Sequence, residues 1–373
     1  MKKADLIVAA SETCADIWYL SGFKAPDDFV YYSVDGQKHI VLSPLEYDRA
    51  KTEVPDGVAV HDFREFTGKN SSKLFDLLHA VGRREKITSW RVPAYFPVAA
   101  ADFLREQGYD LLVATGTFAP SRSVKSRTEV AAVEKANQTA QKAMRAAFKA
   151  LSETTKDEQN RLFLGSELFT SEALRRIIDM ECAGGGASAS GTIAAGGTDS
   201  SQPHNCGSGV LYANTPIVID IFPRDCTSGY WGDLTRTVVR GSAPDIVRKA
   251  FNAVKQARDN AINRIKPGVT GAELHTEVER FLAGSGFPTG KDAKGRAIGF
   301  FHGLGHGVGL EIHEMPRLSP NVHAPLVPGN VVTVEPGVYD AEWGGVRLED
   351  LVAVTESGCR NLTTIETELE INF

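Results

Sequence analysis

Cysteine is scarce in this chain: Cys14, Cys182, Cys206, Cys226 and Cys359 are scattered, odd in number and without a C-x-x-C pair. That argues against a disulfide framework and against a thiolate-bound metal, and it fits a reducing compartment. A dense Lys/Arg block is also missing and the net charge is −6, so no nucleic-acid surface is expected. No apolar run approaches the roughly 20 residues that span a bilayer, so no membrane partner is expected either. The opening Met1-Lys2-Lys3-Ala4-Asp5-Leu6-Ile7-Val8-Ala9-Ala10 sets basic residues before an apolar run, but Asp5 and the brevity of that run speak against a signal peptide. A cytoplasmic protein is the expectation. The remaining composition, 42% apolar and 24% charged, is that of a globular chain, and 373 residues suggest two domains.

The first part, residues 1–120, reads as alternating short strands and helices of an α/β domain. Buried strands are expected at 6–9 and 17–23. Residues 29–34 and 38–42 read as a hairpin, because Asp35-Gly36 supplies the positive φ of a tight turn. Helical spacing appears at 72–82 (Leu74, Leu77, Leu78, Val81) and at 98–108. This part shows neither a nucleotide-binding glycine fingerprint nor a histidine–carboxylate cluster.

Around residues 120–127 the composition turns polar and basic, and the domain boundary is placed there, with the second domain at 121–373. Ser126-x-x-Glu129 is a capping box opening a long helix with the stripe Val130, Val133, Ala136, Ala140, Met144 and Phe148. Further helices are expected near 167–182, 246–265 and 272–283, the last preceded by a second box, Thr270-x-x-Glu273.

The chemistry concentrates in the second domain. His302, His306 and His313 fall in one short stretch with glycines at 303, 305, 307 and 309. So many glycines disfavour a helix, at about 1 kcal/mol each, and let backbone pack closely while fixing the imidazoles. Two other segments resemble each other. Pro216–Asp220 and Val331–Glu335 are apolar runs ending in an acid, and each is followed by a return strand bearing a second acid, Asp233 and Glu349. The separations, 13 and 14 residues, suit two matched hairpins. Acids ending runs this apolar are costly unless paired or metal-bound. Asp220, Asp233, Glu335 and Glu349 together with His306 make an oxygen-rich set suited to two bridged divalent ions, which lower the pKa of water and polarise a carbonyl. A structural zinc site would want cysteines instead.

With Asp233-Leu234-Thr235-Arg236-Thr237, His302-x-x-x-His306, His313-Glu314, Glu335-Pro336-Gly337 and Arg347-x-Glu349 in this order, the chain from about residue 120 onward resembles the pita-bread dinuclear metallopeptidases, most of all the Xaa-Pro dipeptidase and Xaa-Pro aminopeptidase group. The resemblance implies an α/β N-terminal domain at 1–120 followed by a pita-bread catalytic domain with a pseudo-twofold repeat. It implies Asp220, Asp233, His306, Glu335 and Glu349 as ligands to two divalent ions, Mn²⁺ or Co²⁺ favoured and Zn²⁺ next. Glu335 would double as general base, and His204 would line the pocket and stabilise the oxyanion. His302 would contact the proline end and His313 the scissile carbonyl, while Arg347 would bind a carboxylate near the metals. The expected substrates are Xaa-Pro dipeptides or short peptides with proline second, and the expected assembly is a homodimer. Xaa-Pro aminopeptidase activity on longer peptides and a non-catalytic pita-bread binding module are the alternatives. The two aspartates are usually 11 residues apart in this family and 13 here, so the loop 223–228, with its own Asp225 and Cys226, is a departure at the rim of the pocket. His39, His61, His79, His275 and His323 read as surface or packing residues.

Overall fold

Asp35 and Gly36 take φ of 52° and 80°, the left-handed pair of a tight turn, and join strands Phe29–Val34 and Gln37–Leu42 in antiparallel register. In this computed structural model, which describes residues 2–68 and 73–373, these strands lie within a six-stranded mixed sheet of the first unit, residues 1–122. Helices Leu74–Arg84 and Val98–Glu106 pack on that sheet through Leu77, Leu78, Val81, Ala100 and Leu104. The expected start of the first helix, at residue 72, lies outside the described residues.

The strand expected at 17–23 is instead a helix, Ala15–Ser21, closed by Gly22 at φ 67° whose N–H donates to the Trp18 carbonyl at 2.7 Å. A short apolar run cannot distinguish a buried strand from a buried helical turn by periodicity. Here a glycine in the left-handed region ends the turn, as a C-cap requires. Ile17 is fully buried while Trp18, Tyr19 and Leu20 are half-exposed, the one-sided burial of a surface helix.

The second unit, residues 123–373, is built from two halves of similar construction. In the first, helices Arg127–Ser152 and Ser171–Gly184 cover strands Ile193–Gly196, Pro216–Ile221 and Leu234–Arg240, with Met144, Ile178, Ile217, Ile219 and Val238 at the interface. In the second, helices Asp245–Arg264 and Gly271–Gly284 cover the sheet containing Val331–Val334 and Asp350–Val354, through Val254, Leu274, Val332, Val334 and Val352. Both capping boxes form: Ser126 and Glu129, and Thr270 and Glu273, each exchange side-chain and backbone bonds. The helix expected from 167 begins at Ser171. Residues Glu167–Leu168 form a strand, and Thr170 caps the helix by accepting from the Ala173 N–H at 3.2 Å.

The two hairpins differ in detail. Pro216–Ile221 pairs directly with Leu234–Arg240. In the second hairpin, Val331–Val334 pairs with Asp350–Val354, and Gly344–Arg347 pairs with Gly337–Asp340. The ladder is therefore interrupted between Val334↔Asp350 and Gly337↔Arg347, in one continuous register that sets Glu335 across from Glu349.

Candidate metal centre

Strand alternation decides which side chains reach the centre. Ile217, Ile219 and Ile221 face the helices of the first half, which turns Asp220 to the opposite face; Val332 and Val334 face the helices of the second half, which turns Glu335 away from them in the same manner. Asp233 precedes its strand, and Glu349 sits at the ladder break. His306 lies on the strand Gly305–Gly307, between the Glu314–Leu318 and Val331–Val334 strands. That sandwiching explains the glycines. A Cβ on Gly305 would strike the Thr333 carbonyl and one on Gly307 the Met315 carbonyl, so the histidine strand needs bare backbone to fit.

One cavity of about 930 Å³ gathers all nine residues singled out from the sequence: Asp220, Asp233, His306, Glu335, Glu349, His204, His302, His313 and Arg347. Ligand atoms of Asp233, His306 and Glu349 lie within 4.8 Å of one another. His306 Nε2 is 3.6 Å from Asp233 Oδ2 and 3.4 Å from Glu335 Oε1. Its ring stands edge-on to that of His313, with centroids 4.3 Å apart.

Burial raises the Asp233 carboxyl far above the usual range, and the neighbouring Glu349, Asp220 and Glu335 raise it further. Glu349 is raised in the same way, first by burial and then by Glu335 and Asp220. Burial lifts Glu335 to about 8, with Asp220 adding to it against the opposing pull of Arg347. Burial chiefly lowers His306 and His302 to about 3. Acids crowded in this way lack positive charge at their centre, and Asp220 Oδ1 is buried without a hydrogen-bond partner among the described residues. Divalent cations match this donor set, because they supply the missing charge and restore the carboxylates to their ionised form.

The residues around the acids are firmly held. Arg347 Nη2 donates to Asp220 Oδ2 at 2.7 Å, and its Nη1 to the Tyr339 hydroxyl at 3.0 Å and the Pro203 carbonyl at 3.2 Å. His302 contacts the Gly303 carbonyl through Nδ1 (2.7 Å) and the Tyr339 hydroxyl through Nε2 (2.9 Å). Thr235 Oγ1 donates to Glu349 Oε2 at 2.7 Å. Asp225 is not among the converging acids. It accepts from Ser228 N (2.7 Å), Ser228 Oγ (2.9 Å) and Lys135 Nζ (2.8 Å), so it organises the longer loop, while Cys226 is exposed.

Two residues escaped the sequence reading, Tyr339 buried behind His302 and Arg347, and Arg317 on the cavity itself. Tyr339 gave no signal in an apolar strand, although it is two positions past Gly337 on the strand facing Arg347. Arg317 lies across the strand pair from His306 and lines the cavity, and it makes no side-chain hydrogen bond or ion pair with the described residues. Its position four residues after His313 was the available clue.

Residues 131–356 match metallopeptidase family M24. The chain is 30% identical over 358 residues to the Xaa-Pro dipeptidase of Pyrococcus horikoshii, covering 95% of this chain and 92% of the relative, and 29% identical over the same length to that of Pyrococcus furiosus. The crystal structure of the prolidase from P. horikoshii OT3 aligns with a TM-score of 0.81 at 27% identity, over 99% of this chain and 95% of that one. The X-Pro aminopeptidase of Thermotoga maritima shares the fold at 23% identity, with a TM-score of 0.82 over 100% of this chain and 98% of its own. With its acids and histidine converging in the domain so matched, the chain belongs to the M24 metallopeptidases of pita-bread fold.

Proposed function

We propose that this peptidase cleaves the bond between an N-terminal residue and a following proline, and that it acts on Xaa-Pro dipeptides. The reading of substrate length rests on Arg317. In a dipeptide the C-terminal carboxylate lies only two bonds from the scissile imino nitrogen, so it needs a cation close to the reacting centre. Arg347 is taken up by Asp220, Tyr339 and Pro203, whereas Arg317 faces the same cavity without an anionic partner among the described residues. A guanidinium suits this task because it meets a carboxylate with two parallel N–H bonds.

In this reading Asp220, Asp233, His306, Glu335 and Glu349 hold two divalent ions, with Mn²⁺ or Co²⁺ favoured because four carboxylates outnumber one imidazole. When bound, such ions make a water acidic enough to react near neutral pH and polarise the scissile carbonyl. Glu335 takes the proton released by the attacking water and passes it to the leaving imino nitrogen. His313, lowered first by burial and then by Arg317, stays neutral and offers an N–H to the carbonyl oxygen as it gains charge. His204 lines the same cavity and takes a similar part. His302 borders the proline ring, while Arg347 steadies Asp220. A cytoplasmic homodimer is the setting expected from the family resemblance, and sedimentation velocity checks the assembly.

The test compares Ala-Pro, Ala-Pro-NH₂ and Ala-Pro-Ala as substrates of the Mn²⁺-loaded protein and of Arg317→Gln. Preference for Ala-Pro, lost on amidation and in Arg317→Gln, is the expected result. Faster cleavage of Ala-Pro-Ala makes the protein an aminopeptidase, and no turnover of any of the three rejects a prolyl peptidase.

A further inference from the structure

Behind the acids, on the helix side of the sheet, lies a second charged cluster that the proposed mechanism does not use. Arg236, 2% exposed, shares a strand face with Leu234 and Val238, which pack into the core of the first half. All five N–H bonds of its guanidinium find acceptors. Nε donates to the Glu366 carbonyl at 3.3 Å, and Nη1 to the carbonyls of Glu349 (2.7 Å) and Thr235 (2.9 Å). Nη2 donates to Asp350 Oδ1 (2.9 Å) and the Ile365 carbonyl (3.3 Å). Arg258 reaches the same Asp350 oxygen at 3.4 Å and makes no hydrogen bond to Glu349. A guanidinium buried among backbone carbonyls is costly unless every donor is used, and here every donor is.

The Glu349 carbonyl is the informative acceptor. Glu349 lies where the ladder is interrupted, so this carbonyl receives its bond from a guanidinium in place of a strand N–H. The other polar groups of Glu349 are held from the adjacent residue: its N–H donates to the Thr235 carbonyl at 3.0 Å, and its carboxylate accepts from Thr235 Oγ1 at 2.7 Å. Thr237 brackets Arg347 similarly, donating to its carbonyl (2.9 Å) and accepting from its N–H (3.0 Å).

We propose that Arg236 is a positioning residue that substitutes for the missing ladder bond at Glu349 and so fixes the direction of the Glu349 carboxylate into the metal centre. The proposal rests on Glu349 being a ligand, as in the function proposed above. Partners of this kind behind a metal ligand are worth about 10- to 100-fold in metal affinity.

The test titrates Mn²⁺ into metal-stripped protein by calorimetry, with near-ultraviolet circular dichroism to verify the fold, for Arg236→Lys, Arg236→Met and Arg258→Met. Lysine keeps the charge, but its three N–H bonds radiate from one atom and cannot reproduce the five donors that Arg236 spreads over Nε, Nη1 and Nη2. Arg258→Met disturbs Asp350 and leaves the Glu349 carbonyl bond in place. The expected result is folded Arg236→Lys binding Mn²⁺ about 10- to 100-fold more weakly than wild type, with Arg258→Met within about threefold of it. Unchanged affinity in folded Arg236→Lys, equal weakening in Arg258→Met, or loss of the fold in both Arg236 variants would each overturn the proposal and leave Arg236 a core support. Failure of the wild type to bind Mn²⁺ would instead reject the ligand set itself, and neither outcome depends on the substrate.

Discussion

The Tyr339 hydroxyl donates to His302 Nε2 across 2.9 Å, and the direction of that bond is fixed from the far side of the ring. His302 Nδ1 faces the Gly303 carbonyl at 2.7 Å, and a carbonyl only accepts, so Nδ1 carries the proton. Nε2 is then the acceptor, and the Tyr339 oxygen in turn accepts from Arg347 Nη1 at 3.0 Å. Arg347 thus donates at once to Asp220 and into a directed run of hydrogen bonds through Tyr339 and His302 to the Gly303 carbonyl.

Tyr339→Phe removes the middle of that run and leaves His302 Nε2 without its donor. The unsatisfied group should cost about 1–3 kcal/mol of folding stability, and loss of the hold on the His302 ring and tautomer should lower kcat/KM on Ala-Pro by roughly tenfold with metal content unchanged. Steady-state kinetics beside metal analysis checks this. Unchanged kcat/KM would mean that the tautomer of His302 does not matter to turnover.

The pair Lys125 and Glu314 is buried almost completely, with side-chain exposures of 1% and 5%. Lys125→Met removes the ammonium from a buried ion pair and should destabilise the protein by about 3–5 kcal/mol. Adding Glu314→Leu should recover part of that loss. Guanidinium titrations of both variants measure it, and a double variant no more stable than the single one contradicts the expectation.

Gly307→Ala should cost about 1–3 kcal/mol, since its Cβ has no room against the Met315 carbonyl. Gly184, at the end of a helix with open space around its Cβ, is the control. Gly184→Ala should be neutral or slightly stabilising. Urea unfolding distinguishes them, and equal effects would contradict the packing argument.

Metal-stripped protein should lose stability as pH rises from 6.5 to 8. In the folded chain His302 and His306 are neutral throughout, with values near 3, whereas in the unfolded chain, at the ordinary 6.5, they shed their remaining protons over this interval and favour folding by at most about 0.4 kcal/mol each. The buried acids behave oppositely. Glu335, lifted to about 8, holds its proton in the folded chain after the unfolded chain has released it, so the unfolded state gains as pH rises. Calorimetric melting at pH 6.5 and 8 should show the decline, and Glu335→Gln should reduce it. A flat or rising melting temperature counts against a metal-free cluster of raised acids.

Much of this was legible in the residues. Asp220 and Glu335 announced themselves because an acid ends an apolar strand, and the glycines around His306 signalled close backbone contact. The segment at 17–23 misled because a short apolar run has no resolvable period, and only Gly22 marked its end as helical. Arg236 was hidden for another reason. The strand Leu234–Arg240 is buried along its whole length, so alternation of polar and apolar residues no longer tells which face is wet. Glu349 was located by its spacing, but the ladder break that exposes its carbonyl is a tertiary feature without a local signature.

The two-half construction of residues 123–373 has a mechanical consequence. Asp220 and Asp233 belong to the first half, while His306, Glu335 and Glu349 belong to the second, about 130 positions further along the chain at the farthest. Ions held by both sets, as in the proposed function, would act as a cross-link, closing a long loop whose ends must otherwise pay the entropy of finding each other. Chelation should therefore unfasten the seam between the halves first, leaving each helix-covered sheet intact, and amide exchange along Leu234–Arg240 should quicken before exchange in the helices.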